Sequence, residues 1–530
     1  MRQIHSSAWR LVVLSAALQI VIFPLANLYW LSWIAVAPLL VALLRARTPE
    51  TLHLEGPARL EPASPLQGFL LGYLCGILWL AGTCYWIFET MHRYGGLAVP
   101  VALLILVAFC MYVGLYHGLF GLLLALLAGR GSSVRRALLV APFLWVAVEL
   151  ARTRITAFPW ELLGYAQTGN FTLTRFATWA GVYGLSWEIV LVNSAFAAAL
   201  LVAKERRKWL VVSAVGAAVV LQAGQLFSPP PLTAARTALL VQPNIPIQEG
   251  TAWTTDYFQG TLRDLTWISL HPPGGREGQH FDLIVWPESP APFFLNDPSF
   301  RQVAEVLAQQ SRSWLLVSSV GAASASESPK QQSDVYNSAA LFNPQGELQG
   351  RYDKIHLVPF GEYVPFKSAF PFMNMLTQQV GDFARGTSRQ PLPAGGQRLG
   401  VFICYEAIFP DEVREFARRG ADVLVNVSND GWYGDSGAWK QQLEMTQMRA
   451  IENGRWLLLG TNTGMTASVD PYGRIVAATG RKMRTALVAP YSLTSGTTFY
   501  TRHGDLFAYL CAIISAGALL ARFVSPTRER

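Results

Sequence analysis

Three segments of the chain, far apart in sequence, each carry one reactive side chain beside an apolar run. Glu288 follows residues 284–286, Lys354 lies near the start of the segment 352–362, and Cys404 follows residues 400–403. A thiol with an ordinary pKa near ~8.5 is mostly protonated at neutral pH. A carboxylate can accept its proton during attack, and an ammonium group can stabilise both the thiolate and an oxyanion. Together the three residues predict acyl transfer through a thioester.

Taken one at a time, these residues have ordinary structural explanations. A lone glutamate after a strand is usually a solvated loop carboxylate, a lysine is usually a surface charge, and a cysteine at a strand end is usually inert. His356 shares a face with Lys354 if the segment is extended. A lone histidine is more often a hydrogen-bonded structural residue than a ligand. The prediction therefore depends on all three side chains converging in one pocket.

The elements that must position them lie within residues 229–500. Short β-rich runs alternate there with polar helical patterns, such as 299–310 and 439–452, which predicts a layered α/β domain. Six runs are predicted to be buried strands: 238–242, 281–286, 314–320, 400–404, 423–427 and 456–461.

The rest of the chain is strongly apolar. Of all residues 52% are hydrophobic and only 14% are charged, and the mean hydropathy is +0.28; soluble domains carry roughly 25% charged residues. The 17 Trp and 18 Tyr suit membrane interfaces. We therefore predict a multi-span α-helical membrane bundle of about eight transmembrane helices. Their apolar runs are 8–24, 28–44, 66–90, 97–128, 134–151, 175–203, 208–226 and 504–522.

This pattern predicts three units along the chain. They are a bundle of seven helices over 1–228, the catalytic domain over 229–500, and an eighth transmembrane helix with a cytoplasmic tail over 501–530. Lys and Arg are concentrated in the segments that share one side of the membrane with the N terminus, which predicts cytoplasmic termini and an extracytoplasmic domain. The net charge of +8 is explained by this topology rather than by nucleic-acid binding.

No metal or organic cofactor is predicted. The sequence has no CxxC, no HExxH and no glycine-rich phosphate loop. Four of its five cysteines lie inside apolar runs and are interpreted as small buried hydrophobic residues; they are Cys75, Cys84, Cys110 and Cys511.

The motifs resemble the Glu–Lys–Cys signature of the nitrilase superfamily. They are WPES at 286–289, YDKIHLVPFGEYVP at 352–365 and ICYE at 403–406. Seven predicted helices before the domain and one after it narrow the resemblance to the apolipoprotein N-acyltransferase family. The stretches 426–436 and 449–453 also look like that family, and the resemblance covers essentially the whole chain.

The resemblance implies an αββα sandwich and a reaction without cofactors. The family moves a fatty acyl chain from a phospholipid, typically the sn-1 chain of phosphatidylethanolamine, to the N-terminal amine of a diacylglyceryl-cysteine lipoprotein. This is the last step of lipoprotein maturation, on the periplasmic face of the bacterial inner membrane. Cys404 is expected to attack the ester, Glu288 to act as general base and Lys354 to stabilise the oxyanion, with ping-pong kinetics. A monomer that does not bind nucleic acid is expected.

Five further residues are predicted to bind substrate or support the site: Glu362, Tyr405, Glu406, Trp432 and Trp253. The first is expected to orient Lys354 or to support the base, and the two residues after Cys404 to shape the pocket. The two tryptophans are expected to belong to a lid that gates lipid entry, although simple packing explains Trp432 nearly as well. Apolar loops such as 366–376 are expected to frame an opening towards the outer leaflet.

Other functions compete with this interpretation. A membrane-tethered amidase or nitrilase would use the same three residues with water as the second substrate. A transporter with an external binding domain could also have eight spans, but those spans contain few charges, chiefly Glu89 and Glu149. A degenerate scaffold that only binds lipoproteins is disfavoured because all three reactive residues are present.

Overall fold

The fold was obtained as a computed structural model. It describes residues 3–48, 60–129, 134–201, 204–247, 254–273, 279–288, 293–322, 334–363 and 383–524. Trp253 and the loop 366–376 lie outside the described residues, so their predicted roles at the site are not addressed by the structure.

The first half of the chain is helical, as its apolar runs predict. The third helix shows how local sequence sets a helix start: the Ser64 hydroxyl accepts a hydrogen bond from the Gln67 amide, Gln67 reciprocates, and Pro65 occupies the first turn. The helices are α1 Ser6–Val21, α2 Ala37–Leu44, α3 Pro65–Thr83, α4 Val99–Ala128, α5 Val134–Ile155, α6 Val182–Leu201 and α7 Lys204–Ala223.

Small residues let α3 and α4 pack with their backbones in close contact. A methyl group added at Gly121 would lie 2.1 Å from the carbonyl oxygen of Gly68, and one added at Gly72 would lie 2.2 Å from the carbonyl oxygen of His117. Both distances are impossible for a real side chain, so glycine is required at these positions. Close packing through small residues is typical of helices that associate within a bilayer.

The second half contains two six-stranded sheets. Their strand orders are β12-β1-β2-β3-β4-β5 and β11-β10-β9-β8-β7-β6. Parallel strands form the centre of each sheet, β1-β2-β3 in the first and β7-β8-β9 in the second. The strands are β1 Arg236–Gln242, β2 Leu283–Val285, β3 Trp314–Ala322, β4 Val335–Phe342, β5 Leu348–Asp353, β6 Leu392–Pro393, β7 Arg398–Ile403, β8 Val423–Ser428, β9 Leu457–Thr461, β10 Ala467–Val469, β11 Ile475–Ala478 and β12 Thr485–Tyr491.

The two sheets face each other, with helices on their outer sides. Helices α8 Thr255–Leu270 and α9 Pro298–Ser311 pack on the first sheet, and α10 Pro410–Arg418 packs on the second. Helix α11 Ala438–Asn453 lies against the helical half, and α12 Leu506–Val524 packs on α5. The predicted α/β layers are therefore present between the helical half and the last helix.

The eight-span prediction is only partly matched. Four helical segments are long and apolar enough to cross a membrane: Pro65–Thr83, Val99–Ala128, Val182–Leu201 and Arg207–Leu226. Three apolar segments are shorter: Ser6–Val21, Tyr29–Leu44 and Leu506–Arg522. By length and composition alone, four spans are shown within the described part of the chain.

The predicted run 175–203 is not one helix. Gly181 has a φ of +65° and separates the short helix Ala177–Ala180 from α6. The first amide of α6, that of Val182, donates to the Glu452 carboxylate at 3.0 Å. A carboxylate at a helix N-terminus is favourable because unpaired amides point outwards there. The break thus creates a contact between α6 and α11.

Buried polar contacts join the two halves. Trp160, in the loop after α5, donates from its ring nitrogen to the Gln441 side chain at 2.9 Å. Arg154, near the end of α5, forms ion pairs with Asp411 of α10 and with Asp505 just before α12. These contacts hold the α/β layers against the helical half.

Candidate active site

The three predicted reactive residues lie just past the carboxyl ends of their strands. Glu288 follows β2, Lys354 follows β5 and Cys404 follows β7. Strands β2 and β5 run in the same direction, because β3 is parallel to β2 and the two antiparallel pairings that follow restore that direction. Their ends therefore meet at one edge of the first sheet. The second sheet brings Cys404 to the same place, and all three side chains are buried.

Glu288 is held by three donors. Its Oε1 accepts hydrogen bonds from the Lys354 Nζ at 3.2 Å and from the Asn337 Nδ2 at 2.9 Å. Its Oε2 accepts one from the backbone amide of Asn429 at 2.9 Å. Donors to both oxygens fix the orientation of the carboxylate, which a general base requires.

Lys354 carries a permanent positive charge. Only 1% of this residue is exposed, yet its Nζ lies 2.9 Å from Glu362 Oε1 and 3.2 Å from Glu288 Oε1. Burial lowers the pKa of Lys354, but the Glu288 and Glu362 carboxylates outweigh it and raise the pKa well above its ordinary value. The site therefore keeps an ammonium group that can stabilise an oxyanion.

Cys404 rests as a protonated thiol. Burial raises its pKa most, and the Glu288 carboxylate adds to this, whereas Lys354 and the Ser428 hydroxyl lower it; the net shift is upwards. Its φ of 50° places the residue in the left-handed region at a sharp turn out of β7. A buried thiol that is protonated at rest needs a base to become a nucleophile, and the Glu288 carboxylate lies close enough to act on Cys404 electrostatically.

Glu406 braces the two segments that carry Lys354 and Cys404. Its carboxylate is fully buried and accepts a hydrogen bond from the amide of Ile403, the residue before Cys404, at 2.7 Å. The same carboxylate accepts a hydrogen bond from the amide of Ile355, the residue after Lys354, at 2.7 Å. Two further donors complete its environment, the His356 amide at 3.0 Å and the Tyr352 hydroxyl at 2.8 Å. Glu406 is thus a positioning residue.

We expect Glu406→Gln to weaken both the fold and the site. A neutral amide presents an NH₂ to donors that need an acceptor, and hydrogen bonds to a charged group contribute about 1.5–3 kcal/mol each. The apparent melting temperature should fall by roughly 5–10 °C, and acyl-enzyme formation should slow. Glu415→Gln, which alters a partly buried carboxylate paired with arginines of its own helix, is the matched control and should have a smaller effect. Equal losses in the two variants would contradict the bracing role.

The other predicted site residues do not all lie in the catalytic cluster. Glu362 belongs to the cluster, and its second oxygen accepts from the Val358 amide at 2.8 Å. Tyr405 is buried, with its ring edge-on to Phe409. Trp432 is 43% exposed, and its ring lies edge-on to Tyr94 of the helical half, 6.0 Å between centroids. The structure thus brings together Glu288, Lys354, Cys404, Glu362 and Glu406, and places Trp432 at the boundary with the helices.

Sequence reasoning missed three polar residues of the site. Asn337 of β4 donates to Glu362 Oε1 at 2.7 Å as well as to Glu288. Ser428 donates to Asp430 at 2.6 Å and lies close enough to lower the pKa of Cys404. The third residue is Asn429, whose amide contacts Glu288. A signal existed for Ser428 and Asn429, because they lie in the family-like stretch 426–436 directly after a predicted strand.

The donor set of the cluster fits acid–base and nucleophilic chemistry rather than a metal. In the part of the chain that the structure describes, no group of three or more His, Cys, Asp or Glu side chains could hold a metal ion. The positive charge beside the thiol is supplied by Lys354.

Comparisons with known proteins cover both halves. Residues 15–195 match the family model described as apolipoprotein N-acyltransferase N-terminal domain, and residues 247–497 match that described as carbon-nitrogen hydrolase. Among solved structures, an amidase of the nitrilase superfamily from Nesterenkonia AN1 aligns with a TM-score of 0.38 at 18% identity, over 53% of this chain and 99% of that one.

Curated relatives match nearly end to end. The apolipoprotein N-acyltransferase of Geobacter metallireducens is 34% identical over 529 residues, which is 98% of this chain and 95% of that protein. The apolipoprotein N-acyltransferase of Shewanella oneidensis is 34% identical over 480 residues, 87% of this chain and 88% of that protein. Similarity of this extent, across the apolar helices and the carbon-nitrogen hydrolase layers alike, shows that the chain is an acyltransferase of bacterial membranes and belongs to the apolipoprotein N-acyltransferase family.

Proposed function

We propose that the protein transfers a fatty acyl chain from a phospholipid to the N-terminal amine of a diacylglyceryl-cysteine lipoprotein, the last step of lipoprotein maturation. The observation that carries this proposal is the buried cluster at the strand ends, in which a protonated thiol lies within electrostatic reach of a fixed carboxylate and a permanent ammonium group. The names of the relatives and the apolar helices support a lipid substrate over a water-soluble one.

In the first half-reaction, Glu288 accepts the proton of Cys404 as the sulfur attacks the ester carbonyl of the phospholipid. The carbonyl oxygen becomes an oxyanion, which the Lys354 ammonium stabilises. The C–O bond then breaks, and Glu288 returns the proton to the departing lysophospholipid oxygen. A thioester remains on the enzyme, and both carboxylates and the lysine have regained their starting charges.

In the second half-reaction, the lipoprotein's amine attacks the thioester carbonyl. Glu288 removes a proton from the attacking nitrogen, Lys354 again faces the oxyanion, and the thiolate of Cys404 is protonated as it leaves. Glu362 and Asn337 keep the lysine and the base aligned through both steps. Because the two substrates use one site in turn, ping-pong kinetics follow.

The membrane setting has an energetic reason. Moving an acyl chain into water costs about 0.8 kcal/mol per CH₂ group, so a site beside apolar helices keeps the chain in apolar surroundings. We infer that phosphatidylethanolamine is the donor and that the enzyme is a monomer of the inner membrane. An eight-span topology would place both termini in the cytoplasm and the catalytic domain in the periplasm. The charge distribution of the sequence supports that orientation.

The element boundaries support the proposed division of the chain. The helices of the first part end at Leu226, the strands run from Arg236 to Tyr491, and α12 begins at Leu506. These bounds accord with a helical bundle over 1–228, a catalytic domain over 229–500 and a final helix with its tail over 501–530. Trp432 remains a candidate lid residue because its exposed ring bridges the two halves.

The reaction is tested by incubating the purified protein with phospholipid and a diacylated lipopeptide. We expect an amide-linked third acyl chain on the lipopeptide, detected by mass spectrometry, together with an equimolar amount of lysophospholipid. An acetylated N terminus on the lipopeptide should block the product without blocking thioester formation. Release of free fatty acid with no amide product would instead support the rival amidase or hydrolase.

A further inference from the structure

A second group of buried ionisable residues lies outside the catalytic cluster. Glu149 and Arg152 are on α5, and Glu161 follows in the loop after that helix. Glu161 is only 1% exposed and Arg152 only 4%. The three side chains line a narrow, partly open cleft of about 20 Å³, together with aromatic residues that include Trp145 and Tyr116. Charged side chains are almost never fully buried in proteins unless they are paired.

Polar atoms of all three side chains lack partners. Both carboxylate oxygens of Glu161, one oxygen of Glu149 and the Nη1 of Arg152 have no hydrogen bond to any described residue. The other Glu149 oxygen is satisfied by the Trp145 ring nitrogen at 3.0 Å and the Leu163 amide at 2.8 Å. A buried charged group without a partner is strongly destabilising, so Glu161 is suited to a ligand that donates hydrogen bonds.

The charge around the cleft favours a cation. Burial raises the pKa of Glu161 well above its ordinary value, Glu444 of α11 raises it further, and Arg152 opposes them. Burial also raises the pKa of Glu444, to about 8, with Lys440 opposing. Burial therefore disfavours the ionised form of Glu161. A bound cation would stabilise that ionised form and supply hydrogen-bond donors to its two free oxygens.

Aromatic rings separate the cleft from the catalytic cysteine. Trp160, next to Glu161, packs against Trp86 with 4.8 Å between ring centroids, and Trp86 packs against Tyr433 at 5.3 Å. Tyr433 is in turn within electrostatic reach of Cys404. A ligand group in the cleft would thus lie on the helical side of this aromatic layer, with the catalytic cysteine on the other side.

We propose that this cleft binds the primary ammonium group of a lipid substrate, with Glu161 as its main acceptor. An ammonium group donates three hydrogen bonds, and the free oxygens of Glu161 and Glu149 can accept them. Its small size suits the narrow interior of the cleft, and its charge would stabilise the ionised form of Glu161. The inference rests on the proposed function, because both substrates carry such a group: the ethanolamine of the phospholipid and the N-terminal amine of the lipoprotein.

The binding test uses the full-length protein with Cys404→Ala, so that no ligand is consumed. Dissociation constants are measured by native mass spectrometry for phosphatidylethanolamine and phosphatidylglycerol with matched acyl chains. The second ligand pair is a diacylated lipopeptide with a free or an acetylated N terminus. Glu161→Gln should weaken binding of an ammonium-bearing lipid about tenfold, because it removes charge-assisted hydrogen bonds, and should leave the amine-free analogue unchanged.

The outcome also identifies the source of the ammonium group. If only the binding of phosphatidylethanolamine is weakened, the cleft binds the acyl donor. If only the binding of the free-amine lipopeptide is weakened, the cleft binds the acyl acceptor. No change, or equal losses for ammonium-bearing and amine-free ligands, overturns the proposal. Glu188→Gln, which alters a half-buried carboxylate of α6 outside the cleft, is the control. If Glu161→Gln does not fold, Glu149→Gln, which alters the other acceptor in the cleft, decides by the same comparison.

This design separates the inference from the reaction. Binding is measured on an inactive chain, so selective loss of an ammonium ligand supports the cleft even if thioester chemistry proves wrong. Conversely, the wild-type protein could make the amide product while Glu161→Gln binds ammonium-bearing and amine-free ligands as the wild type does. That result would support the proposed function and contradict the role proposed for the cleft.

Discussion

Cys404→Ala should yield a folded protein that forms no acyl-enzyme and no amide product. The thiol is the only group in the described cluster that can carry a thioester, and removal of a catalytic nucleophile lowers the rate by roughly 10⁴-fold or more. After incubation with a palmitoyl phospholipid, intact-mass measurement should show the added acyl mass on the wild-type chain and none on the variant. Treatment with hydroxylamine should remove the added mass, as expected of a thioester.

Cys511→Ala is the matched control for this experiment. Cys511 is also buried, but it lies in α12, away from the strand ends. The Cys511→Ala variant should form the acyl-enzyme and transfer the acyl chain at wild-type rates. Acylation that persists in Cys404→Ala and disappears in Cys511→Ala would remove Cys404 as the nucleophile.

Lys354→Met should lower the acylation rate by about 10²–10³, the usual effect of losing one oxyanion donor. It should also destabilise the fold, because Glu288 and Glu362 would remain buried without their cation. The pKa of Lys354 is raised above its ordinary value, so its contribution to stability is complete below a pH of ~10.4 and is lost only as the pH rises through the higher folded value. The difference in melting temperature between wild type and variant should therefore be constant between about pH 6 and 9.

Lys482→Met provides the comparison. Lys482 is exposed and pairs with Asp435 at 2.5 Å on the surface, where ion pairs contribute about 0–1 kcal/mol. Little change in rate or melting temperature is expected. A Lys354→Met variant as active as Lys482→Met would mean that the oxyanion is stabilised elsewhere.

The central strands were predictable because of how they are buried. Each of the six predicted runs overlaps one of β1, β2, β3, β7, β8 and β9, which form the parallel centres of the two sheets. Parallel strands are covered on both faces and are therefore nearly continuous apolar runs. The remaining strands lie towards the sheet edges, where half-exposed residues interrupt the pattern; β11, for example, is mostly exposed. They pair with strands that are adjacent in sequence, except β12, which pairs with β1.

The candidate site could also be predicted only in part from the sequence. The three reactive side chains could be named because each follows a recognisable strand, although their roles remain predictions until the variants are measured. Asn337 could not be named, because its position depends on register: the amide of Lys354 donates to the carbonyl of Asn337 at 2.8 Å across the β4–β5 pair. Likewise Glu161 and Glu444 come together only when the helices dock on the α/β layers.

The pairing of β1 with β12 has a consequence for synthesis of the protein. These strands are antiparallel from Arg236 opposite Tyr491 to Gln242 opposite Thr485, so the catalytic layers begin and end side by side. Helix α12 packs on α5 and follows all of the strands, so it leaves the ribosome only after they have been made. Translation that stops before residue 506 would make every catalytic residue yet leave α5 without this neighbour, and quality-control proteases would meet an incomplete helical bundle.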